Sequence, residues 1–206
     1  MSSAKQRTVF ACLSTALLLF AARTTAATDA AATVRKLLGE SFAAMQAAKS
    51  FRATSVMEQG GKKVTVQNDT IWPDRFHVRS EGREFIFVPG ATWMKQAGGT
   101  WDLLPVDMSE LVRSLSPDAM RQSLANLENA KLIGAETLGE RESIVIEYDT
   151  HATVMGIATR SHVKVWLDAA SKLPVKQQAS GTAQGLESKT FTLYDFVSDL
   201  KIEAPR

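Results

Sequence analysis

The sequence predicts an α+β protein built on a single curled antiparallel β-sheet, an open half-barrel of about ten or eleven strands with helices covering its concave face. Two observations lead to this prediction. Stretches in which apolar and polar residues alternate, separated by short turns rich in glycine and proline, fill two long parts of the chain. Segments with helical spacing of apolar residues precede the first part and separate it from the second.

The first residues have the features of a secretory signal peptide. Lys5 and Arg7 give a basic start, and residues 9–22 form an apolar run that is too short to span a bilayer. Small residues follow this run. We therefore expect a signal peptide over residues 1–26 and one exported, soluble half-barrel domain over residues 27–206. An uncleaved membrane anchor is the alternative.

Charge and cysteine content exclude several classes of protein. Removal of the signal peptide takes away Lys5, Arg7 and Arg23 and no acid, which lowers the formal net charge from +2 to −1. Such a chain lacks the basic surface of a nucleic-acid-binding protein, so we expect no nucleic-acid partner. The single cysteine, Cys12, lies in the predicted signal peptide. After cleavage the chain would have no cysteine, so we expect neither disulfides nor thiol catalysis.

Helical patterns occur in two places. An N-cap at Thr28 or Asp29 begins a predicted helix that ends near Lys49, with one apolar stripe for packing on a core. Gly39 lies inside this helix and costs up to about 1 kcal/mol, so tertiary packing must hold the helix in place. Over residues 107–127, a capping box and a Ser-Pro helix start predict two short helices.

Strand patterns fill the rest of the chain. They predict six strands before the two short helices and five strands after them. Residues 150–159 fit neither pattern clearly. The predicted strands cover residues 51–59, 62–72, 75–80, 84–88, 92–96, 100–104, 129–134, 141–148, 161–168, 175–178 and 186–196.

No pattern in the chain indicates a catalytic or metal site. His77, His151 and His162 share no metal-binding spacing, and there is no nucleophile elbow, Walker loop or dinucleotide-binding motif. We therefore expect no enzyme activity, no metal and no cofactor. The alternative is a hydrolase whose serine, histidine and aspartate residues meet only in the folded chain, within hydrogen-bond reach in a cleft.

Large apolar side chains are numerous for a sheet of this kind, since the chain has 4 Trp, 9 Phe and 7 Met. Plain core packing accounts for any one of them. As a set, they are also sufficient to line an apolar pocket between a curled sheet and a helical cover.

Several motifs have a recognisable order along the chain. Residues 161–178 contain a strand with V-W-L-D, a polar turn and L-P-V-K, and residues 72–78 open a strand with W-P-D-R-F-H-V. Tryptophan-bearing strands lie at 92–94 and 100–101, and T-F-T-L-Y-D-F lies at 190–196. In this order, the motifs resemble those of the LolA/LolB-like superfamily of outer-membrane lipoprotein carriers, which includes LppX/LprG-like lipid carriers.

The resemblance implies a hydrophobic cavity under a helical lid and a function as a periplasmic carrier of the acyl chains of lipids or lipoproteins. It also implies transient contact with envelope proteins. A periplasmic module for protein interaction or envelope-stress sensing, using the same apolar face, is the alternative. Trp72 departs from the family at the position where lipoprotein carriers have an arginine that helps to hold the lid, so the lid mechanism is not implied.

We expect a monomer that binds an acyl chain between the sheet and the two short helices. Each buried methylene contributes about 0.8 kcal/mol, so a chain of about a dozen carbons needs no charged contact. The expected cavity residues are Phe85, Phe87, Trp93, Trp101, Val163, Val165 and Leu167 on the strands, and Leu111, Leu115, Met120 and Leu124 on the lid.

Overall fold

The computed structural model describes residues 30–105, 117–154, 157–183 and 186–205. The predicted signal peptide, with its cleavage site, lies outside the described residues. Helix α1 covers residues 30–48, and helix α2 covers Pro117–Ala125. The strands are β1 (Ser50–Gln59), β2 (Lys62–Ile71), β3 (Arg75–Ser80), β4 (Arg83–Val88), β5 (Ala91–Gln96), β6 (Trp101–Leu103), β7 (Glu128–Leu138), β8 (Arg141–Val154), β9 (Ile157–Asp168), β10 (Pro174–Ala183) and β11 (Leu186–Asp195).

All eleven strands belong to one antiparallel sheet, in the order β6-β5-β4-β3-β2-β1-β11-β10-β9-β8-β7. Pairing of β1 with β11 joins two meanders, one from each part of the chain. The strands at the two ends of the sheet, β6 and β7, do not pair with each other. The sheet is therefore an open half-barrel, and the predicted α+β fold class is confirmed.

Short turns set the registers of the hairpins. Gly60 and Gly61 both have positive φ, 57° and 76°, which suits a two-residue hairpin turn and aligns Gln59 with Lys62. The ambiguous residues 150–159 continue the strands, since β8 extends to Val154 and pairs there with Ile157 at the start of β9. Met155 and Gly156, which separate the two strands in the sequence, lie outside the described residues.

The sheet has an inner face, on which α1 packs, and an outer face. Residues that pair directly across antiparallel strands lie on the same face, so the registers assign each strand residue to one side. The charged residues that this assigns to the inner face are all exposed and lie at strand ends: Lys62, Arg83, Asp102 and Glu142. Between the strand ends, the described part of the inner face is apolar or carries hydroxyl and amide groups.

The apolar stripe of α1 packs on the inner face through two clusters. The larger cluster joins Val34 and Leu38 of α1 to strands β8 and β9, and the smaller one joins Met45 to β1. The predicted stripe is therefore the core-facing side of the helix. Buried members of the larger cluster are Val34, Leu38, Leu127, Ile146, Val165 and Leu167, and those of the smaller are Met45, Phe51 and Ala53.

Helix α2 is attached to α1 at its C-terminal end. The Arg35 guanidinium donates from Nε to the carbonyl oxygen of Leu124 at 3.3 Å and from Nη2 to that of Leu127 at 3.4 Å. A Cβ placed on Gly39 would lie 3.9 Å from Cδ1 of Leu124, so the two helices approach closely at this glycine. No helix in the described part of the chain is long and apolar enough to cross a membrane.

Candidate functional site

An apolar strip lies on the inner face of β3, β4 and β5. Direct pairing aligns Val78, Phe85 and Met94 in one row and Phe76 with Phe87 in the next. The rings of Phe85 and Phe87 stack with centroids 6.3 Å apart. We call these five residues the inner strip. Among the described residues, neither cluster beneath α1 includes any of them, so α1 packs on a different part of the inner face.

The predicted cavity residues on β9 also belong to the inner face, and two of the three lie beneath α1. Val165 and Leu167 are members of the larger cluster, and Leu167 is only 1% exposed. Val163 is buried and pairs with Tyr148 and Ala179. The protein's own side chains therefore fill the space over Val165 and Leu167. The inner strip belongs to neither cluster, although its Phe76 and Phe87 are also buried, at 3% and 8% exposure.

Trp93 and Trp101 lie on the opposite face from Phe85 and Phe87, so the prediction that all four line one cavity is wrong for the two tryptophans. Phe85 pairs with Met94, so the adjacent Trp93 points to the outer face, where it pairs with Ile86 and Leu103. Trp101 pairs with Lys95 on the outer face and lies edge-on to His77, with ring centroids 6.2 Å apart. The two-residue turn that aligns Val88 with Ala91 fixes this register, and it is visible in the sequence as Pro89–Gly90.

The predicted lid residues fall into two groups. Leu111 and Leu115 lie outside the described residues, as does the side chain of Met120 in α2. Leu124 is described, and its side chain packs against the larger cluster beneath α1.

Four polar residues lie between the inner strip and the larger cluster, on the inner face of β2, β1, β11 and β10. We call Asn68, Ser55, Thr192 and Gln177 the polar row. The Ser55 and Thr192 hydroxyls share a hydrogen bond of 2.8 Å, and Gln177 pairs with Thr192 and accepts from the Tyr194 hydroxyl at 3.1 Å. The side-chain oxygen of Asn68 is buried and has no hydrogen-bond partner in the described part of the chain.

Two tyrosines on the inner face have perturbed acidities. Burial raises the pKa of Tyr148 to about 12. Burial also raises the pKa of Tyr194, and the nearby Tyr148 raises it further. Both phenols therefore stay neutral at physiological pH and leave the inner face uncharged.

On the outer face, a chain of charged side chains crosses β1 to β5. Asp69 is nearly buried and accepts hydrogen bonds from Arg52, at 2.6 and 2.9 Å, and from Arg79. Burial of the Asp69 carboxyl raises its pKa, but the hydrogen bonds from Arg52 and Arg79 outweigh this and lower the pKa overall. The Asp69 carboxylate therefore stays ionised and is fully paired.

The outer-face chain continues through His77. Arg79 donates to Nδ1 of His77 at 2.8 Å, so Nε2 carries the ring proton and donates to Glu84 at 2.9 Å. Burial of Glu84 raises its pKa, but the hydrogen bond from His77 and the charge of Lys95 lower it overall. These contacts suit a structural network, because every hydrogen-bonding nitrogen of His77 is already used.

The other two histidines also pair with carboxylates on the outer face. His162 Nδ1 lies 2.7 Å from Asp149, and His151 Nε2 lies 3.0 Å from Glu128. The hydrogen bond from Asn129, with that from His162, lowers the pKa of Asp149. In the described part of the chain, no serine hydroxyl bonds to a histidine ring and no group of three metal-type ligands is close enough to hold a metal ion.

An open groove of about 510 Å³ crosses the outer face, with Val56 and Phe191 on its floor. Its charges are partly paired, since Lys63 lies 3.7 Å from Glu58 and Lys164 lies 3.6 Å from Glu147. Such a solvent-exposed, mixed-charge groove lacks the features of an acyl-chain site.

Comparison with known proteins identifies the fold. The chain superposes on the lipoprotein LppX of Mycobacterium tuberculosis with a TM-score of 0.59 and 14% identity, covering 83% of this chain and 98% of LppX. For LprF from Mycobacterium bovis the TM-score is 0.53 at 12% identity, covering 85% of this chain and 98% of LprF. No family model and no curated protein matches the chain. The fold implied by the resemblance is therefore confirmed, since the chain shares the fold of LppX and LprF.

Proposed function

We propose that the protein is an exported, periplasmic carrier that holds an acyl chain of a lipid or lipoprotein against the inner strip. The proposed lid is the segment of residues 107–127, which the sequence predicts to be helical, with Leu111, Leu115 and Met120. The proposal rests mainly on one observation, the contrast between the two halves of the inner face. Side chains of α1 fill the half formed by β8 and β9, whereas neither described cluster beneath α1 includes the inner strip. Phe76 and Phe87 of the strip are nevertheless buried, and we propose that the lid covers them when no cargo is bound.

The energetics favour an uncharged hydrocarbon ligand on the strip. An acyl chain of about a dozen carbons gains about 0.8 kcal/mol for each methylene it buries, enough for micromolar affinity even after the cost of ordering the chain. Release then requires the lid to separate from the strip. Under this proposal the protein has no catalytic residue, no metal and no cofactor, and it acts as a monomer that meets envelope proteins transiently.

A pair of variants tests whether the strip binds the chain. Phe85→Glu places a charge on the inner strip, whereas Trp101→Glu places the same charge on the outer face, two strands away on β6. We expect Phe85→Glu to weaken binding of a fluorescent acyl probe at least about tenfold, because it replaces apolar surface that the acyl chain contacts with a hydrated carboxylate. Trp101→Glu serves as the matched control and should bind within about twofold of the unmodified protein.

Circular dichroism and thermal unfolding must show that both variants are folded. Equal loss of probe binding in both variants, or no saturable binding by the folded unmodified protein, would contradict the proposal.

A protein partner on the same inner face is the second candidate function. Met57 and Leu186, two inner-face residues near the hairpin tips, are large apolar side chains that are 37% and 57% exposed. Together with the inner face that they border, these side chains offer apolar surface for a protein partner to cover. This candidate predicts that Met57→Glu abolishes binding of an envelope protein to the folded carrier while acyl-probe affinity stays unchanged; unchanged partner binding would contradict it.

A further inference from the structure

The polar row gives the inner face a hydrogen-bonding feature that a purely hydrocarbon ligand would not use. Asn68 pairs directly with Val78, which pairs with Phe85, so the row begins where the inner strip ends. Ser55 is the diagonal neighbour of Asn68 across β1 and β2, at a spacing of about 7–8 Å or less. One small polar group at the end of a chain on the strip could therefore reach both residues.

The row has hydrogen-bonding capacity to spare. The Ser55–Thr192 pair uses one hydroxyl hydrogen, which leaves the other hydroxyl free to donate. The Asn68 amide makes one long bond of 3.4 Å to Thr70, and its oxygen is buried without a partner in the described part of the chain. An unpaired buried polar atom is unfavourable, and a ligand group that bonds to it removes that cost.

Charge decides which kind of polar group fits. The charged residues assigned to the inner face, Lys62, Arg83, Asp102 and Glu142, are exposed at strand ends. The two tyrosines near the row are neutral phenols, and burial raises their pKa further above the physiological range. A carboxylate or phosphate at the row would lose its hydration and find no counter-ion among the described residues of the inner face between the strand ends, whereas an ester, amide or hydroxyl group would lose far less.

We propose that the polar row binds a neutral hydrogen-bonding group of the cargo, so that the carrier selects acyl esters or amides over ionised fatty acids. This inference rests on the proposed function. The acyl chain lies along the inner strip, and the ester or amide linkage, or an adjacent hydroxyl, bonds to Asn68 and to the Ser55–Thr192 pair. An anionic head group, if the cargo has one, remains beyond the row in water.

The test compares two probes with the same chain, monooleoylglycerol and oleate, by equilibrium binding at pH 8 and below their aggregation concentrations. We expect the full-length protein to bind monooleoylglycerol at least about tenfold more tightly than oleate, a difference typical of one lost buried hydrogen bond or more. Asn68→Leu and the near-isosteric Thr192→Val should each reduce this ratio severalfold. Thr54→Val, on the exposed outer face of the same strand as Ser55, should leave it unchanged.

The outcomes separate the inference from the proposed function. Equal affinity for the two probes, or a preference that persists in the folded Asn68→Leu and Thr192→Val variants, overturns the inference and leaves the carrier function standing. If neither probe binds, both fail. If Asn68→Leu does not fold, Thr192→Val decides the question alone, because it removes only a hydroxyl and keeps the volume of the side chain.

Discussion

At the scale of single residues, the outer face shows how charge is accommodated on this sheet. Asp69 is 5% exposed and would be unfavourable if unpaired, but two arginines on the neighbouring strands donate to it. A nearly buried carboxylate with two such donors stabilises the fold more than an exposed ion pair does. The Asp69 pairing therefore ties β1, β2 and β3 together.

Replacing Asp69 tests this account. We expect Asp69→Asn to lower the free energy of unfolding by about 2–3 kcal/mol at pH 7, measured by urea denaturation, because it leaves two guanidinium groups partly unpaired. Glu58→Gln, which removes only the exposed pair with Lys63, should cost less than about 0.5 kcal/mol.

The same residue predicts a pH dependence. The pKa of Asp69 is lower in the folded than in the unfolded protein, so its stabilisation is present above the unfolded value of about 3.9 and disappears as the pH falls through the folded value. The difference in unfolding free energy between Asp69→Asn and the unmodified protein should therefore be constant from about pH 5 to 8 and shrink in acid. A difference that stays constant down to pH 2 would contradict the assignment.

At the scale of secondary-structure elements, α1 illustrates what local patterns can predict. Its apolar stripe was evident in the sequence, and the two clusters it forms confirm the core-facing side. Gly39 was predicted to weaken the helix, and the structure adds a neighbour, since Cδ1 of Leu124 lies 3.9 Å from where its Cβ would be. That distance is an ordinary contact, so alanine fits without displacing α2.

Gly39→Ala should therefore stabilise the protein. Alanine gains up to about 1 kcal/mol over glycine inside a helix. Thermal unfolding should show a melting temperature that rises by a few degrees. A melting temperature that falls would mean that α1 and α2 require the closer approach that only glycine permits.

Gly181 on β10 has the opposite constraint. A Cβ at this position would lie 2.3 Å from the carbonyl oxygen of Arg160 on β9, so the two strands pair only because the side chain is absent. Gly181→Ala should destabilise the protein by about 2–3 kcal/mol or prevent folding, because backbone atoms must move. The control is Ser180→Ala, at the exposed position next to Gly181. Chemical denaturation should give a clearly lower free energy of unfolding for Gly181→Ala than for Ser180→Ala. Equal free energies of unfolding would contradict the close contact.

At the scale of the whole molecule, the sequence predicted the sheet and its order of elements but only part of the site. The alternation of apolar and polar residues, with glycine or proline at the turns, is sufficient to predict the strands, because each of these features is local in the sequence. Alternation alone does not give the register between strands, so it groups Trp93 and Trp101 with phenylalanines that lie on the opposite face. Counting outward from the Pro89–Gly90 turn would have separated them.

Long-range packing was beyond local patterns. Nothing in the sequence of β9 indicates that α1 covers Val165 and Leu167 but forms no described cluster with the inner strip, because helix placement depends on residues more than a hundred positions away. The polar row was missed for the same reason, since its four residues come from four strands and meet only through β1–β11 pairing.

The single sheet carries its charged side chains and its large apolar surface on opposite faces. Charged side chains of the strand interiors lie on the outer face, while the described inner face between the strand ends is uncharged, with one apolar region filled by α1 and another formed by the inner strip. We propose that the second region holds the acyl chain of a cargo lipid.

Native mass spectrometry of the full-length chain, expressed with its export segment and purified without detergent, tests this proposal most directly. The account predicts a population heavier than the polypeptide by the mass of one acyl lipid, which is released on denaturation and absent from folded Phe85→Glu. A folded protein whose mass is that of the polypeptide alone, and which gains no mass when incubated with monooleoylglycerol, would contradict it.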